Sequence, residues 1–486
     1  MPTTALSPIL GADGVPIRKV VSKQKPGDGY APVRAKYDAA GQSNEFSLYW
    51  ANADALDADS ANSRTIRHRI MSRARYEVDN NGFVDGMALA HADYLVGLGP
   101  KLRMQTNNTS FNELVEAQWQ SWAKAVQLRR KLWVMAHAKT QDGESFAVVR
   151  NNPAVGHPVQ IDMVLFEAEQ CQSPNIPFGM TGYVDGIRFD AFGNPVYYDV
   201  LPYHPGGQWS AVTSTPEQIP AKYVMHWFQM RRPGQHRGIS ELKSTLNCGA
   251  SSRRWREAIL AAAESAAEIN LVLKTQLNPS IDLDYEGFAA FSTQPINRRM
   301  MTALPEGYDF GQVDSKHPNA QYAEFHRAQI MEQGRSLGMP VNVATGDSSK
   351  HNFASGKLDH LPWHQRMTVE RSDGDDTVLS PLFNLFFQEL ALVYGFANRI
   401  TPAHVWDWPV LPIADEKARA NANATKLANG ETTPSKVWSE NGDDFSEGIV
   451  QMADDYGVPV EEMKAILRDK IFNRQQQQPE APPDDE

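Results

Sequence analysis

The chain is poor in cysteine: its 486 residues include two, Cys171 and Cys248. They lie far apart without metal-ligand spacing, so a disulfide scaffold is not expected and a reducing, cytoplasmic setting is the simplest reading. Long apolar runs are also missing. A membrane helix needs about 20 uninterrupted apolar residues, and the nearest approach, AILAAAESAAEINLVL over 258–273, carries Glu264, Glu268 and Asn270. No membrane association is expected. The opening MPTTALSPILGADG has no basic region followed by an apolar core, so no signal peptide is expected. Positive charge is in deficit, with a formal net charge of −11. Tight nucleic-acid binders gain affinity by neutralising phosphates and are usually basic. This chain as a whole is not such a binder, although an acidic balance suits a protein that lets DNA pass without holding it. No internal repeat is present.

What is there suffices for two to four packing units: 41% of residues are hydrophobic, and a domain takes roughly 100–200 residues. Residues 1–45, rich in Pro and Gly, read as an extended arm. Ser60–His68 leads into a helical stretch Arg69–Asn80, ended by Asn81-Gly82. The spacing of Val84, Met87, Ala88, His91 and Leu95 predicts a helix over Phe83–Val96, stopped by Gly97 and Gly99-Pro100. Leu114, Val115, Trp119, Trp122 and Val126 share one face of a helix Phe111–Leu128, and Leu132–Lys139 reads as another. At Gly143 the texture changes. Ser145–Arg150, Gln160–Glu167, Gly186–Asp190, Pro195–Leu201 and Val224–Gln229 read as strands, with Ala191-Phe192-Gly193-Asn194 as a hairpin turn. Residues 46–230 are therefore an α+β unit.

After Arg231-Arg232-Pro233-Gly234 the sequence turns helical. Ser240 is an N-cap candidate for a helix over Glu241–Glu268. Short β and turn pieces fill 270–313, and Pro318-Asn319 starts a helix Ala320–Leu337, halted by Gly338 and Pro340. Ser355–Val393 is largely helical, with interruptions expected at Pro362 and Pro381. Pro402, Pro409 and Pro412 suggest a hinge. Helices Ala414–Ala428, closed by Asn429-Gly430, Ser446–Tyr456 and Val460–Phe472 follow. The tail QQQQPEAPPDDE is low-complexity and expected to be disordered. The fold class is α+β, mainly helical.

Gly346-Asp347-Ser348-Ser349-Lys350 looks chemical. A serine nucleophile elbow follows a buried strand, opens a helix, and needs a His and an acid brought to it in space. Here the segment follows a helix and Val341-Asn342-Val343, and sequence proximity of His351 and His360 makes no triad. A phosphate loop needs Gly-Lys before Ser or Thr, whereas Gly356-Lys357 precedes Leu358. On residues alone the segment is a solvated connection between helices, and no catalytic residue, metal site or cofactor is expected. His317, His326 and His364 form no HExxH pattern. Asp375-Asp376 and Asp454-Asp455 read as solvated pairs. Trp119, Trp122, Trp133, Trp227 and Trp255 read as core or interface. Arg253-Arg254-Trp255-Arg256 offers a phosphate patch, a salt bridge between subunits or a lining role, with its members spread round a helix by about 100° per residue.

Several segments together resemble one family, the portal proteins of lambda-type tailed bacteriophages. The first runs from Tyr37-Asp38-Ala39-Ala40 through Arg73-Ala74-Arg75 and Asn80-Asn81-Gly82 to Tyr94-Leu95-Val96-Gly97-Leu98-Gly99. The second is His226-Trp227-Phe228 leading into Arg232-Pro233-Gly234-Gln235-His236-Arg237-Gly238-Ile239-Ser240, similar to the family's "RPGQ.RG" junction. The third is Pro305-Glu306-Gly307, Phe325, Leu337-Gly338-Met339-Pro340 and Thr345-Gly346-Asp347-Ser348-Ser349. The fourth is 418–429 with Gly430-Glu431-Thr432-Thr433-Pro434-Ser435. Together they span about 37–450, and their order and spacing carry the match.

The resemblance implies a dodecameric ring rather than an enzyme. It implies an N-terminal arm (1–45), a wing (46–239), stem helices (240–268 and 318–340) flanking a clip (269–317), a tunnel loop (341–355), a wing helix and hinge (356–411), a crown (412–473) and a tail (474–486). It places the ring at one capsid vertex of the virion, assembled in the host cytoplasm. The terminase large subunit would drive double-stranded DNA through its channel, and the DNA would later leave by the same route. Other implied partners are the major capsid or scaffold protein and a head-completion or adaptor protein. Asp347, Ser348, Ser349, Lys350, His351 and Asn352 would face DNA from the tunnel loop, and Arg253, Arg254 and Arg256 are candidates on the stem. The rival readings are a hydrolase using Ser348, and another head–tail connector ring, a class whose chains are usually much shorter.

Overall fold

The computed structural model describes residues 50, 53–172, 182–208, 215–267, 271–275, 308–312, 322–349, 353–412, 416–440 and 445–473. The expected N-terminal arm and tail, and most of the expected clip, lie outside them. The chain divides into Met1–Ala55 and Leu56–Glu486. In the first unit, the Ala53 N–H donates to the Trp50 carbonyl at 2.9 Å.

Five helices, with one strand among them, come first: α1 (Ala58–Ala61), α2 (Arg64–Asn80), α3 (Gly82–Val96), β1 (Lys101–Met104), α4 (Thr109–Ala125) and α5 (Leu128–Asp142). α2 begins five residues before the helical stretch read from the sequence, at Arg64 rather than Arg69. The Asn81 side chain accepts from the Phe83 N–H at 3.4 Å, closing α2 and opening α3. The helix read across Phe111–Leu128 instead breaks after Ala125, where Gln127 takes a left-handed conformation (φ 55°) and α5 starts in a new direction.

Strands follow as expected, with two short additions. β2 (Glu144–Asn151), β3 (Ile161–Phe166), β4 (Tyr183–Val184), β5 (Ile187–Phe189), β6 (Pro195–Val200), β7 (Glu217–Pro220) and β8 (Val224–Phe228) form two antiparallel sheets, ordered β3-β2-β8 and β4-β5-β6-β7. Phe146, Val148, Tyr198, Ile219 and Val224 make the core they share.

α6 (Leu246–Ala267), β9 (Leu271–Thr275), β10 (Tyr308–Gln312) and α7 (Tyr322–Arg335) come next, with β9 and β10 paired antiparallel from Tyr308↔Thr275 to Gln312↔Leu271. α6 starts at Leu246, not at Glu241. The Ser240 hydroxyl accepts from Leu242 N–H at 3.2 Å in a turn, and the Glu241 side chain is taken into a buried ion cluster.

α8 (Val341–Thr345) and α9 (Phe353–Gly374) follow, then a π-helical segment Asp375–Leu379 and α10 (Ser380–Val393). Pro362 does not interrupt α9, which runs through it. Its ring lies on the exposed side, while Trp363 and Met367 on the buried side hold the helix together. The break expected at Pro381 does not occur either: the helix continues from α9 through the π segment into α10, whose first turn holds Pro381, and the wider π turn before it accommodates the proline ring. The proline hinge is also revised. β11 (His404–Asp407) lies between Pro402 and Pro409 and pairs antiparallel with β1, from Lys101↔Asp407 to Met104↔His404.

α11 (Glu416–Ala428), α12 (Pro434–Glu440), α13 (Phe445–Tyr456) and α14 (Val460–Asn473) complete the chain. Of these α12 is new: the Thr433 hydroxyl accepts from the Lys436 N–H at 3.3 Å ahead of Pro434. The main core joins α3, α4, α5, α9 and α10, with Trp119 4.9 Å from Trp122 and 5.1 Å from Phe386 between ring centroids. Rings of this size bury about 150–250 Å² each, worth several kcal/mol apiece at about 25 cal/mol per Å². Among the described residues, no helix is long and apolar enough to cross a membrane.

Candidate functional site

The segment 346–349 is carried by α7 and α8 beside α6, so its placement depends on how α6 and α7 are braced. The bracing is aromatic. Trp255 stacks on Tyr322 (centroids 5.0 Å, planes 13° apart), Phe325 meets Trp255 edge-on at 4.8 Å, and Tyr322 stacks on His326 at 5.8 Å. His326 in turn meets Phe83 of α3 at 5.2 Å. Each such pair adds about 0.5–1.5 kcal/mol beyond burial.

Two of the three α6 arginines are absorbed into this bracing. Arg253 donates to Glu77 at 2.8 Å and lies over the Tyr76 ring at 4.9 Å. Arg256 donates to Asn81 at 3.2 Å and lies 5.7 Å from the Phe83 ring centroid. The structure brings these two together against α2 and α3, while Arg254 is exposed on another side of α6.

Two buried clusters fix the root of α6. Arg237 is fully covered and forks onto Glu144, while the Gly238 N–H donates to the same carboxylate at 2.8 Å. Arg67 approaches Glu144 at 3.3 Å and also pairs with Asp185, and His226 Nε2 lies 3.1 Å from Glu144. Burial alone would raise the Glu144 pKa. Arg237, His226 and Arg67 outweigh it and hold the carboxyl well below the usual range. In the second cluster Lys139 Nζ lies 2.7 Å from Glu241 and 2.8 Å from Glu370, and Arg366 reaches Glu241 at 2.6 Å and Glu370 at 2.7 Å. Arg366 also donates to the Ser336 carbonyl at the end of α7, at 3.2 Å. Burial would lower the Lys139 pKa, but the two carboxylates outweigh it and raise it. His91, Glu241 and Glu370 are close enough to ligate one ion. Lys139 and Arg366 already neutralise the two carboxylates, so the donor set fits an ion-pair cluster rather than a metal centre.

The segment expected to be a loop over 341–355 is helical at both ends. Val341–Thr345 forms α8, seated where Ala344 crosses α7 at Gly334, and α9 begins at Phe353. Gly346 (φ 66°) turns the chain out of α8. Asp347 then folds back: its Oδ1 accepts from the Ser349 N–H at 2.8 Å and its Oδ2 meets Arg327 of α7 at 3.1 Å. The Thr345 hydroxyl accepts from the Asp347 N–H at 3.2 Å. Ser348 and Ser349 are exposed. Lys350, His351 and Asn352 lie outside the described residues. His360, the other histidine near Ser348 in sequence, meets Asn342 at 3.2 Å.

Other sequence readings fare differently. Asp375 is not a solvated carboxylate: it is half-buried and accepts from the Trp408 indole at 2.8 Å. Trp119, Trp122 and Trp227 are core residues as expected. The Arg237–Glu144 and Glu241–Lys139 pairings were not read from the sequence. Arginine before glycine at a helix junction, with an acid next to Gly143, was the available signal.

A paired-helix hairpin rooted in an α+β unit, with a polar turn at its base, is the architecture described above. Residues 49–371, well over half of the chain, match the family described as phage portal protein, lambda family, and the chain belongs to that family. No curated protein matches it. Solved structures similar to it include the virion of a native gene transfer agent particle, at 14% identity and a TM-score of 0.44 over 76% of this chain and 92% of that one. The neck of an empty particle of that agent computed with C6 symmetry gives 14% and 0.47 over 75% and 91%. The neck of a native particle computed with C12 symmetry gives 14% and 0.41 over the same shares.

Proposed function

We propose that this portal protein assembles into a closed dodecameric ring at one capsid vertex. A terminase motor drives double-stranded DNA inward through the ring's channel, the DNA later exits by the same route, and head-completion proteins dock on the ring. The wing comprises the α+β unit with α9 and α10, the stem α6 and α7, the clip the region between them that includes β9 and β10, and the crown the helices from α11 onward. The observation that carries this reading is the α6–α7 pair, rooted in two buried ion clusters and bearing a polar, exposed turn at 346–349. In such a channel an acidic wall keeps DNA centred. Ser348, Ser349, Lys350, His351 and Asn352 make weak contacts to the backbone that carry no base readout.

Electron microscopy of the purified full-length protein is the test. Rings with an open central channel are expected, and a monomer or a particle without a channel would overturn the proposal. Deletion of 345–352 is expected to leave ring assembly intact and to impair DNA packaging or retention.

A further inference from the structure

We propose that the Arg327–Asp347 ion pair is a latch. It holds the root of the loop against α7 and opens when a phosphate takes the place of Asp347 on Arg327. The proposal rests on the reading of this loop as facing DNA, and it changes the role of Asp347 from a DNA contact to an anchor.

The geometry gives the latch its parts. Gly346, exposed and at φ 66°, supplies the turn out of α8. Asp347 then uses its two carboxylate oxygens differently. Oδ1 closes the local turn through the Ser349 N–H at 2.8 Å, and Oδ2 reaches 20 residues back to Arg327 at 3.1 Å. The second contact is the only one of the two that fixes the turn to a helix. The Arg327 side chain is 18% exposed and that of Asp347 48%. The cation is thus seated on α7 and the anion is the exposed member. Of the two partners, the anion is the one that a competitor in solution displaces.

The strength is suited to release. Pairs this exposed shift a two-state population by only about two- to five-fold, which biases the loop without locking it. Guanidinium binds phosphate in the same planar geometry as carboxylate, and a DNA backbone presents a new phosphate every few ångströms. Exchange has a built-in limit. Once a phosphate occupies Arg327, the freed Asp347 carboxylate is an unpaired negative charge beside a polyanion, and repulsion moves the loop away. Recapture of Asp347 then expels the phosphate. The contact is brief by construction, as a translocating duplex requires.

The test reads amide hydrogen exchange over 346–349 in the full-length protein at low salt, first without DNA. Arg327→Gln is expected to speed exchange of these amides about two- to five-fold, and the charge-swapped Arg327→Asp/Asp347→Arg pair to return it to within two-fold of the wild type. No change in Arg327→Gln, or a swapped protein as fast as the single variant, would overturn the latch. A short DNA duplex is then added. Exchange in the wild type is expected to rise, the rise to vanish at high salt, and Arg327→Gln, already open, to show none. Unchanged or slowed exchange in the wild type overturns the phosphate step. A photocrosslinker on Ser348→Cys separates the two readings. If it does not label the duplex, the DNA-facing reading and the phosphate step fall together, while the DNA-free swap still decides the latch.

Discussion

Arg237 and Glu144, 93 residues apart in sequence, meet as a fully buried fork, with Nη2 2.7 Å and Nε 3.0 Å from the two carboxylate oxygens. Around them the junction RPGQHRG becomes intelligible. Gln235 is buried and closes its own turn, accepting from Arg231 N–H at 3.0 Å and donating to the Arg237 carbonyl at 2.9 Å. His236 pairs with Asp59 at 2.7 Å. The junction welds the residues before α6 to β2 through Glu144 and to α1 through Asp59, and at Glu144 the weld is electrostatic in a place where water cannot substitute.

Removing the anion from that fork leaves two guanidiniums, Arg67 and Arg237, buried without it. Breaking a buried pair in this way costs about 3–5 kcal/mol, so Glu144→Gln is expected to lower the thermal midpoint sharply and the yield of soluble protein with it. The sign with pH follows from the depressed carboxyl. Its folded pKa lies below the unfolded value of about 4.3, so its contribution is complete above that value and is lost as pH falls further. Melts from pH 7 down to pH 3 should show the wild type converging on Glu144→Gln only at the acid end. A constant gap would contradict this.

Gly238 tests the same junction through sterics. A Cβ there would lie 2.1 Å from the Gly143 carbonyl oxygen and 2.6 Å from Glu144 Cβ. Neither neighbour is a flexible tip, so the backbone crossing must open. Gly238→Ala is expected to cost about 3 kcal/mol or more, measured by chemical denaturation. Gly234→Ala, in a turn with nothing within 4 Å but φ 75°, should cost only about 1 kcal/mol.

The α6 arginines separate by role. Arg253→Gln loses the Glu77 pair and the Tyr76 ring, and is expected to destabilise by about 1 kcal/mol. Arg254→Gln, on an exposed position, should stay within about 0.5 kcal/mol of the wild type. Equal effects in thermal melts would mean that Arg253 is not braced as described.

Local pattern made some of this legible and left the rest hidden for a physical reason. α3 could be read because four apolar residues and His91 repeat at helical spacing and glycines stop it, and β2, β3 and β8 because β-rich runs are bounded by turns. The β1–β11 pair was invisible: its strands are four residues each and lie about 300 residues apart, so what holds them, each other and the core behind α4, is remote in sequence. The start of α6 was misplaced because Ser240 has the chemistry of an N-cap, while burial of Glu241 between Lys139 and Arg366 decides the backbone there. The turn at Gly346 was correctly seen as polar, but its anchoring to Arg327 is a contact 20 residues back that no local pattern announces.

Asp375 offers a prediction of opposite sign to Glu144. Burial pushes its carboxyl up to about 7, opposed by the Trp408 indole N–H and Arg371 and reinforced by Asp376. Its folded pKa therefore lies above the unfolded value of about 3.9. Between those two values the folded state binds more protons than the unfolded one, so this group's contribution is greatest below about pH 4 and declines as pH rises through 7. Asp375→Asn keeps an oxygen for the Trp408 N–H and removes the charge. At pH 8 the variant is expected to be more stable than the wild type by about 1 kcal/mol, after the discount that partial exposure requires. At pH 4 the two should coincide. Thermal melts at pH 4, 6 and 8 decide it, because a difference independent of pH would show that packing at the π segment, and not the buried charge, sets the effect.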